Sequence, residues 1–173
     1  NTAYAVPKLL NALKAQGLEP KHVKYVIITH LHLDHAGGTS ALMKLCPNAT
    51  LLLHPRAERH MVDPSKLVAS AKKIYGEAKF EKMYGVIDSI SEKRVRVMQD
   101  KEELEFGTDR LQFIHTRGHA NHHFCILQKA EARIFTGDAF GLCYPKLQTG
   151  GLFVFPSTSP TDFDAEEAIK AVK

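Results

Sequence analysis

Residues 26–38 read VIITHLHLDHAGG. A β-branched apolar run leads straight into four side chains of metal-ligand type, His30, His32, Asp34 and His35, inside six positions. The run is short and continuous, so residues 23–29, VKYVIIT, are expected to form a buried strand. In an extended segment, side chains at i and i+2 point to the same side. That puts His30 and His32 together, and Asp34 is expected to continue the alternation. His35 points elsewhere unless the chain turns, which Gly37-Gly38 allow. The helical HExxH class of zinc site, with ligands four apart, is excluded by this spacing. Two neighbouring metal positions are expected, with His30 and His32 at one and Asp34 and His35 at the other.

Two imidazoles fall short of a catalytic zinc site, which usually takes three protein ligands and a water. IHTRGHANHH, residues 114–123, offers His119 after a strand and a glycine. FTGDAFG, residues 135–141, offers Asp138 in the same setting, as a carboxylate to bridge two cations. Three separate strand-end loops delivering ligand-type residues is what one site at the rim of a sheet requires.

The rest of the chain supports an α/β reading. Residues 5–16 carry Val6, Leu9, Leu10 and Leu13 at helical spacing, with Gly17 as the stop. A helix is expected over 39–45, ending before Pro47, and a strand over 49–54. Residues 55–85 read as mostly helical, with Gly76 as a break, and the stretch 55–90 is expected as a helical insert. Two uses are open to it, a lid shaping a substrate pocket or a contact in a homo-oligomer. From residue 95 the pattern changes to short strands, VRVM, EELEF, RLQFIHT, HFCILQ and ARIFTGD, with a turn at Gly107-Thr108-Asp109. The Ser/Thr/Pro-rich tail from Pro156 leads to a helix that starts near Asp162 or Asp164.

The 173 residues suggest one domain spanning 1–173. The net charge of +4 is mild and the Lys and Arg residues are scattered, so no nucleic-acid partner is expected. No apolar run approaches the ~20 residues of a membrane span. Cys46, Cys125 and Cys143 are odd in number and far apart, with no CxxC, which fits a reducing cytoplasm rather than a disulfide framework. The chain opens at Asn1 and closes inside a helical pattern, so an interior piece of a longer protein is expected.

HLHLDH, then Gly118-His119, then Gly137-Asp138 resembles the metallo-β-lactamase superfamily over residues from about 23 to 141. The resemblance implies an αββα sandwich, here expected to be truncated at both ends, with a dinuclear site along one edge. It implies that His30, His32 and His119 bind the first metal, that Asp34 and His35 bind the second, and that Asp138 bridges them. It also implies Zn2+, one ion or two, with iron or manganese tolerated by the same ligands. The chemistry implied is hydrolysis of a small-molecule ester, thioester or lactone by a metal-bound hydroxide, with Asp34 as the catalytic proton carrier. Asp138 makes the chain more similar to glyoxalase-type thioesterases, lactonases and persulfide dioxygenases than to the true β-lactamases, which generally lack that aspartate. Two departures stand out. The family's proline before the lone Gly-His is Arg117, and no histidine follows His123 to complete the second position. Two alternatives therefore stand beside the hydrolase: a mononuclear iron dioxygenase of persulfide type, and a non-catalytic binding or assembly module.

The remaining candidates have plainer readings. His22, His54, His60 and His115 are expected as surface or hydrogen-bonded residues, His122 as incidental, and His123 as a support for a ligand. Arg117, Phe140 and Tyr144 flank the site and are open to either substrate contact or packing. Cys143 is expected as a buried, inert thiol, and residues 92–105 as a solvated face.

Overall fold

The first helix, α1, spans Val6–Ala15, with Pro7 in its opening turn. It closes on Gly17 at φ 69°. Gly17 N–H reaches Lys14 O at 2.9 Å and Leu18 N–H reaches Leu13 O at 3.0 Å, the paired closure a glycine just past the last turn permits. The computed structural model describes residues 1–159 and 162–173. They divide into two compact units, Asn1–Met98 and Gln99–Lys173.

The first unit holds a parallel sheet in the order β1 (Tyr25–Ile27), β2 (Thr50–Leu53), β3 (Val95–Val97). Val26 pairs with Leu51, and Leu52 with Arg96. The strand expected over 23–29 is shorter than its apolar run, because the chain bends at residues 29–30, after the last sheet bond from Ile28 N–H to Leu52 O. Leu51, Leu52 and Leu53 are all fully buried. A parallel strand is covered on both faces, so its sequence is a continuous apolar run without alternation. Each parallel pair needs a crossover. The first contains α2 (Leu33–Ala36) and α3 (Thr39–Leu45). The second contains α4 (Glu58–Val62), α5 (Ser65–Tyr75) and α6 (Glu77–Tyr84), so the stretch 55–90 connects β2 to β3. Gly76, at φ 78°, separates α5 from α6. Val26, Ile28, Leu31, Met43, Leu53 and Met61 belong to one buried cluster under this sheet.

The stretch 92–105 is not uniformly solvated. Arg94 donates to Met43 O at 2.9 Å, Cys46 O at 2.5 Å and Ala49 O at 2.9 Å. Its guanidinium thus satisfies carbonyls that the end of α3 leaves open.

The second unit is an antiparallel meander of β4 (Glu103–Phe106), β5 (Asp109–His115), β6 (Phe124–Gln128) and β7 (Arg133–Phe135). Gly107, at φ 64°, occupies the first position of the two-residue turn that joins Phe106 to Asp109, where a positive φ suits the strand twist. Leu104, Leu111, Phe113, Phe124 and Ile126 are buried, and the rings of Phe113 and Phe124 meet edge-on at 5.1 Å. Away from them, Glu103 lies 3.0 Å from Arg110 and 2.5 Å from Lys129. The tail helix α7 spans Ala165–Val172. Its cap is Asp164, whose carboxylate accepts from Glu166 N–H and Glu167 N–H at 3.0 and 3.1 Å. Of the Ser/Thr/Pro-rich tail, Pro160 and Thr161 lie outside the described residues.

Cys46 and Cys125 are buried, whereas Cys143 is exposed, contrary to the expectation of a buried thiol. It follows Leu142, which bridges to Phe155, on a segment whose large apolar side chains Phe140, Tyr144 and Leu147 are themselves exposed. Among the described residues, no helix is long and apolar enough to cross a membrane.

Candidate metal centre

The HLHLDH segment departs from the extended geometry expected of it. Alternation stops at His32 (φ −58°, ψ 141°), and Leu33–Ala36 wind into α2. His32 O accepts N–H groups from His35 at 2.9 Å and Ala36 at 2.8 Å, which closes the helical turn. Asp34 in that first turn suits a helix start. The turn therefore precedes the glycines. Gly37 and Gly38 both have negative φ, and their small size serves close approach instead. A Cβ on Gly38 would lie 2.5 Å from Thr2 O. Gly38 N–H donates to Asn1 O at 2.7 Å, and the Asn1 amine donates to His35 O at 2.6 Å.

This winding gathers three imidazoles. The His30 and His32 rings lie 4.7 Å apart between centroids, and the His30 and His35 rings 4.2 Å. His35 Nε2 is 3.4 Å from Asp34 Oδ2. His30 is fully buried, with Nδ1 3.1 Å from Thr29 Oγ1. Asp34 is the exposed member, its side chain 69% accessible.

The second unit carries its own group. His119 Nδ1 is 2.7 Å from the carbonyl of Ser157. A carbonyl only accepts, so Nδ1 carries a proton, and a neutral ring would ligate through Nε2. That Nε2 lies 3.5 Å from Asp138 Oδ2. Asp138 Oδ2 also accepts the Ser157 hydroxyl at 2.9 Å. The backbone N–H of Asp138 donates to His123 Nε2 at 3.2 Å. His123 therefore donates from Nδ1 to Thr116 Oγ1, at 2.7 Å. Thr116 Oγ1 is 3.5 Å from Cys125 Sγ, which donates to Thr136 O. Burial pushes the Cys125 thiol up and the Thr116 hydrogen bond opposes it. His123 is fully buried and supports Asp138, in keeping with its sequence reading. Thr116 and Ser157 were not legible as site residues, since neither stands at a motif spacing from His119 or Asp138.

Gly118, before His119, has φ 118°, and a Cβ there would lie 2.3 Å from Ala168 N. Asp164 N–H donates to Gly118 O at 2.8 Å. The glycine thus lets α7 dock on the loop that carries His119.

The other histidines are engaged locally. His22 Nδ1 accepts Glu19 N–H, and His54 Nδ1 accepts Arg56 N–H. His60 Nε2 takes the Arg59 side chain. The backbone N–H of His115 donates to Asp100. Arg117, Phe140 and Tyr144 are exposed.

Among the described residues, His30, His32, His35, His119 and Asp138 carry donor atoms able to hold a metal ion. The donor chemistry fits such an ion. Imidazole and carboxylate suit zinc, and a ligating histidine typically has its other ring nitrogen held by a carbonyl or similar partner. His119 has this arrangement.

A family model described as the metallo-beta-lactamase superfamily matches residues 2–172. The chain belongs to the metallo-β-lactamase superfamily. This superfamily is mostly one of metal-dependent hydrolases. This member is 29% identical over 140 residues to ST1585, a metallo-beta-lactamase fold-containing protein of Sulfurisphaera tokodaii, covering 79% of this chain and 49% of the relative. The solved ST1585 structure, from Sulfolobus tokodaii, matches with a TM-score of 0.69 at 28% identity, covering 86% of this chain and 55% of that one. An N-acyl homoserine lactonase of a Bacillus species is 27% identical over 170 residues, 96% of this chain and 55% of the relative. The subclass B3 metallo-β-lactamase MEM-A1, from a soil metagenome library, shares the fold with a TM-score of 0.62 at 18% identity, covering 99% of this chain and 61% of that one. The chain thus spans about half the length of the relatives it matches.

Proposed function

We propose that this superfamily member is a metal-dependent hydrolase of a small ester, thioester or lactone. In this reading His30, His32 and His119 hold one ion, Asp34 and His35 a second, and Asp138 serves both. The single observation that carries the reading is the state of His119: its Nδ1 proton is committed to Ser157 O, leaving Nε2 as a ligand-ready nitrogen next to the Asp138 carboxylate. Likeness to an N-acyl homoserine lactonase over nearly the whole chain supports the substrate class.

A zinc-type ion, when bound, lowers the pKa of a water to ~7 and polarises the bond to be cleaved. The chain's own residues contribute the rest. Asp34, the exposed carboxylate of the motif, takes a proton at its carboxylate oxygen and returns it to the leaving group. His35 Nε2 lies 3.4 Å from that carboxylate. His123 holds the backbone of Asp138 in place.

The test is metal content by elemental analysis, with turnover of an acyl homoserine lactone and an acyl thioester before and after chelation. The reading predicts zinc in the protein, and lactone or thioester turnover that chelation removes and zinc restores. Turnover indifferent to chelation would overturn it. One iron per chain with oxygen consumption would move the protein to the dioxygenase alternative. Metal without turnover of any such bond would favour the binding module.

A further inference from the structure

Ser157 touches both proposed ligands of the second unit through different atoms. Its carbonyl accepts the Nδ1 proton of His119 at 2.7 Å, and its hydroxyl donates to Asp138 Oδ2 at 2.9 Å. No motif spacing joins these three residues: Ser157 lies 38 positions after His119 and 19 after Asp138. Two residues on, the Ser159 hydroxyl donates to His119 O at 3.1 Å, and Asp164 N–H donates to Gly118 O at 2.8 Å. Ser157, Ser159 and Asp164 thus form a strap of contacts on the Gly118-His119 loop, and Ser157 is the point where the strap reaches ligand side chains.

We infer that Ser157 is a positioning residue for the metal centre, coupling the tautomer of His119 to the orientation of the Asp138 carboxylate. The inference rests on the metal-site reading above. The physics is specific. A neutral imidazole can ligate through Nε2 only if the proton sits on Nδ1, and the Ser157 carbonyl is the acceptor that keeps it there. A carboxylate left to itself rotates among positions. A hydroxyl donated to one oxygen fixes the plane and leaves lone pairs on the other oxygen for an ion. Because one residue performs both tasks, the imidazole and the carboxylate move together if the strap moves. Ser157 is only partly buried and fills no large core volume, so removing its hydroxyl tests positioning more than folding.

The experiment is zinc affinity by competition with a chromophoric chelator, measured on the wild-type chain and on Ser157→Ala, Ser157→Thr and Ser159→Ala. Loss of a hydrogen bond that orients a ligand typically weakens metal binding ~10–100-fold. Ser157→Ala is expected to fall in that range, with the thermal unfolding of the zinc-free protein unchanged. Ser157→Thr, which keeps a hydroxyl, is expected to restore most of the affinity. Ser159→Ala removes a hydrogen bond of the same strap without touching a ligand side chain, and is expected to leave affinity within about threefold. Wild-type affinity in Ser157→Ala overturns the inference while leaving the metal site standing. Equal losses in Ser157→Ala and Ser159→Ala overturn it too, since the cause would then be a loosened segment. A wild-type chain that binds no zinc overturns both the inference and the reading beneath it.

Discussion

His123 and Asp138 form one structural unit, although 15 positions separate them. The His123 ring accepts the Asp138 backbone N–H at 3.2 Å and grips Thr116 Oγ1 at 2.7 Å through its other nitrogen. The position of a proposed metal-binding carboxylate is therefore set by a fully buried imidazole that is not itself a proposed ligand.

Replacing that imidazole should be costly. His123→Ala leaves the Asp138 N–H and the Thr116 hydroxyl without this partner and opens a void in a site with no solvent access. An unsatisfied buried group costs about 1–3 kcal/mol, and the void adds to it. Urea unfolding should show a loss of about 2–5 kcal/mol. A loss below about 0.5 kcal/mol would mean that the hydrogen bonds are not held in solution.

Gly118→Ala should undo the docking of α7. The added Cβ would meet Ala168 N at 2.3 Å, and φ 118° is strained for any residue with a side chain. We expect destabilisation of about 2 kcal/mol or more. Amide exchange should accelerate in α7 before it does in β5 and β6. Protection of α7 at wild-type levels would contradict the close approach.

Asp34→Asn keeps the shape of the motif and removes the proton acceptor. Turnover should fall by about 10²–10⁴-fold, and the zinc held by the remaining ligands should not be lost in full. Elemental analysis beside kinetics separates the two effects. Undiminished turnover would remove Asp34 from the chemistry.

The thiols give a pH dependence with a definite sign. Burial pushes Cys46 and Cys125 above the ordinary thiol range; the Arg94 cation opposes this at Cys46 and the Thr116 hydrogen bond at Cys125. Below the unfolded thiol pKa both states are protonated, and this stability is fully present. As pH rises past that value the unfolded chain ionises first, so stability falls until the folded thiols ionise as well. Unfolding midpoints measured from pH 7 upward should decline less steeply in a Cys46→Ala, Cys125→Ala variant than in the wild type. Equal slopes would contradict the assignment. In the folded protein at neutral pH, iodoacetamide should label the exposed Cys143 well ahead of the other two.

Periodicity and turn chemistry account for most of the local structure. Helix α3 has the bounds its pattern predicts, Thr39–Leu45. Asp164 proves to be the cap of α7, and the Gly107 hairpin stands where its turn residues lie. These features depend on neighbours a few positions apart, so the local pattern carries the information. The same reasoning misjudged the HLHLDH segment. Period-2 alternation holds only while the chain stays paired in a sheet, and here pairing ends at Ile28, after which Leu33–Ala36 coil into a helix.

By itself, then, the amino-acid order determined the α/β class and most element positions, and nominated the donor residues, because each reflects short-range spacing and side-chain chemistry. Tertiary structure alone decided that VRVM joins the parallel sheet as β3, that Arg94 closes the end of α3, and that Ser157 and Thr116 brace His119 and Asp138. Those contacts join residues far apart in the chain, and only the folded backbone brings their hydrogen-bonding groups within reach of one another.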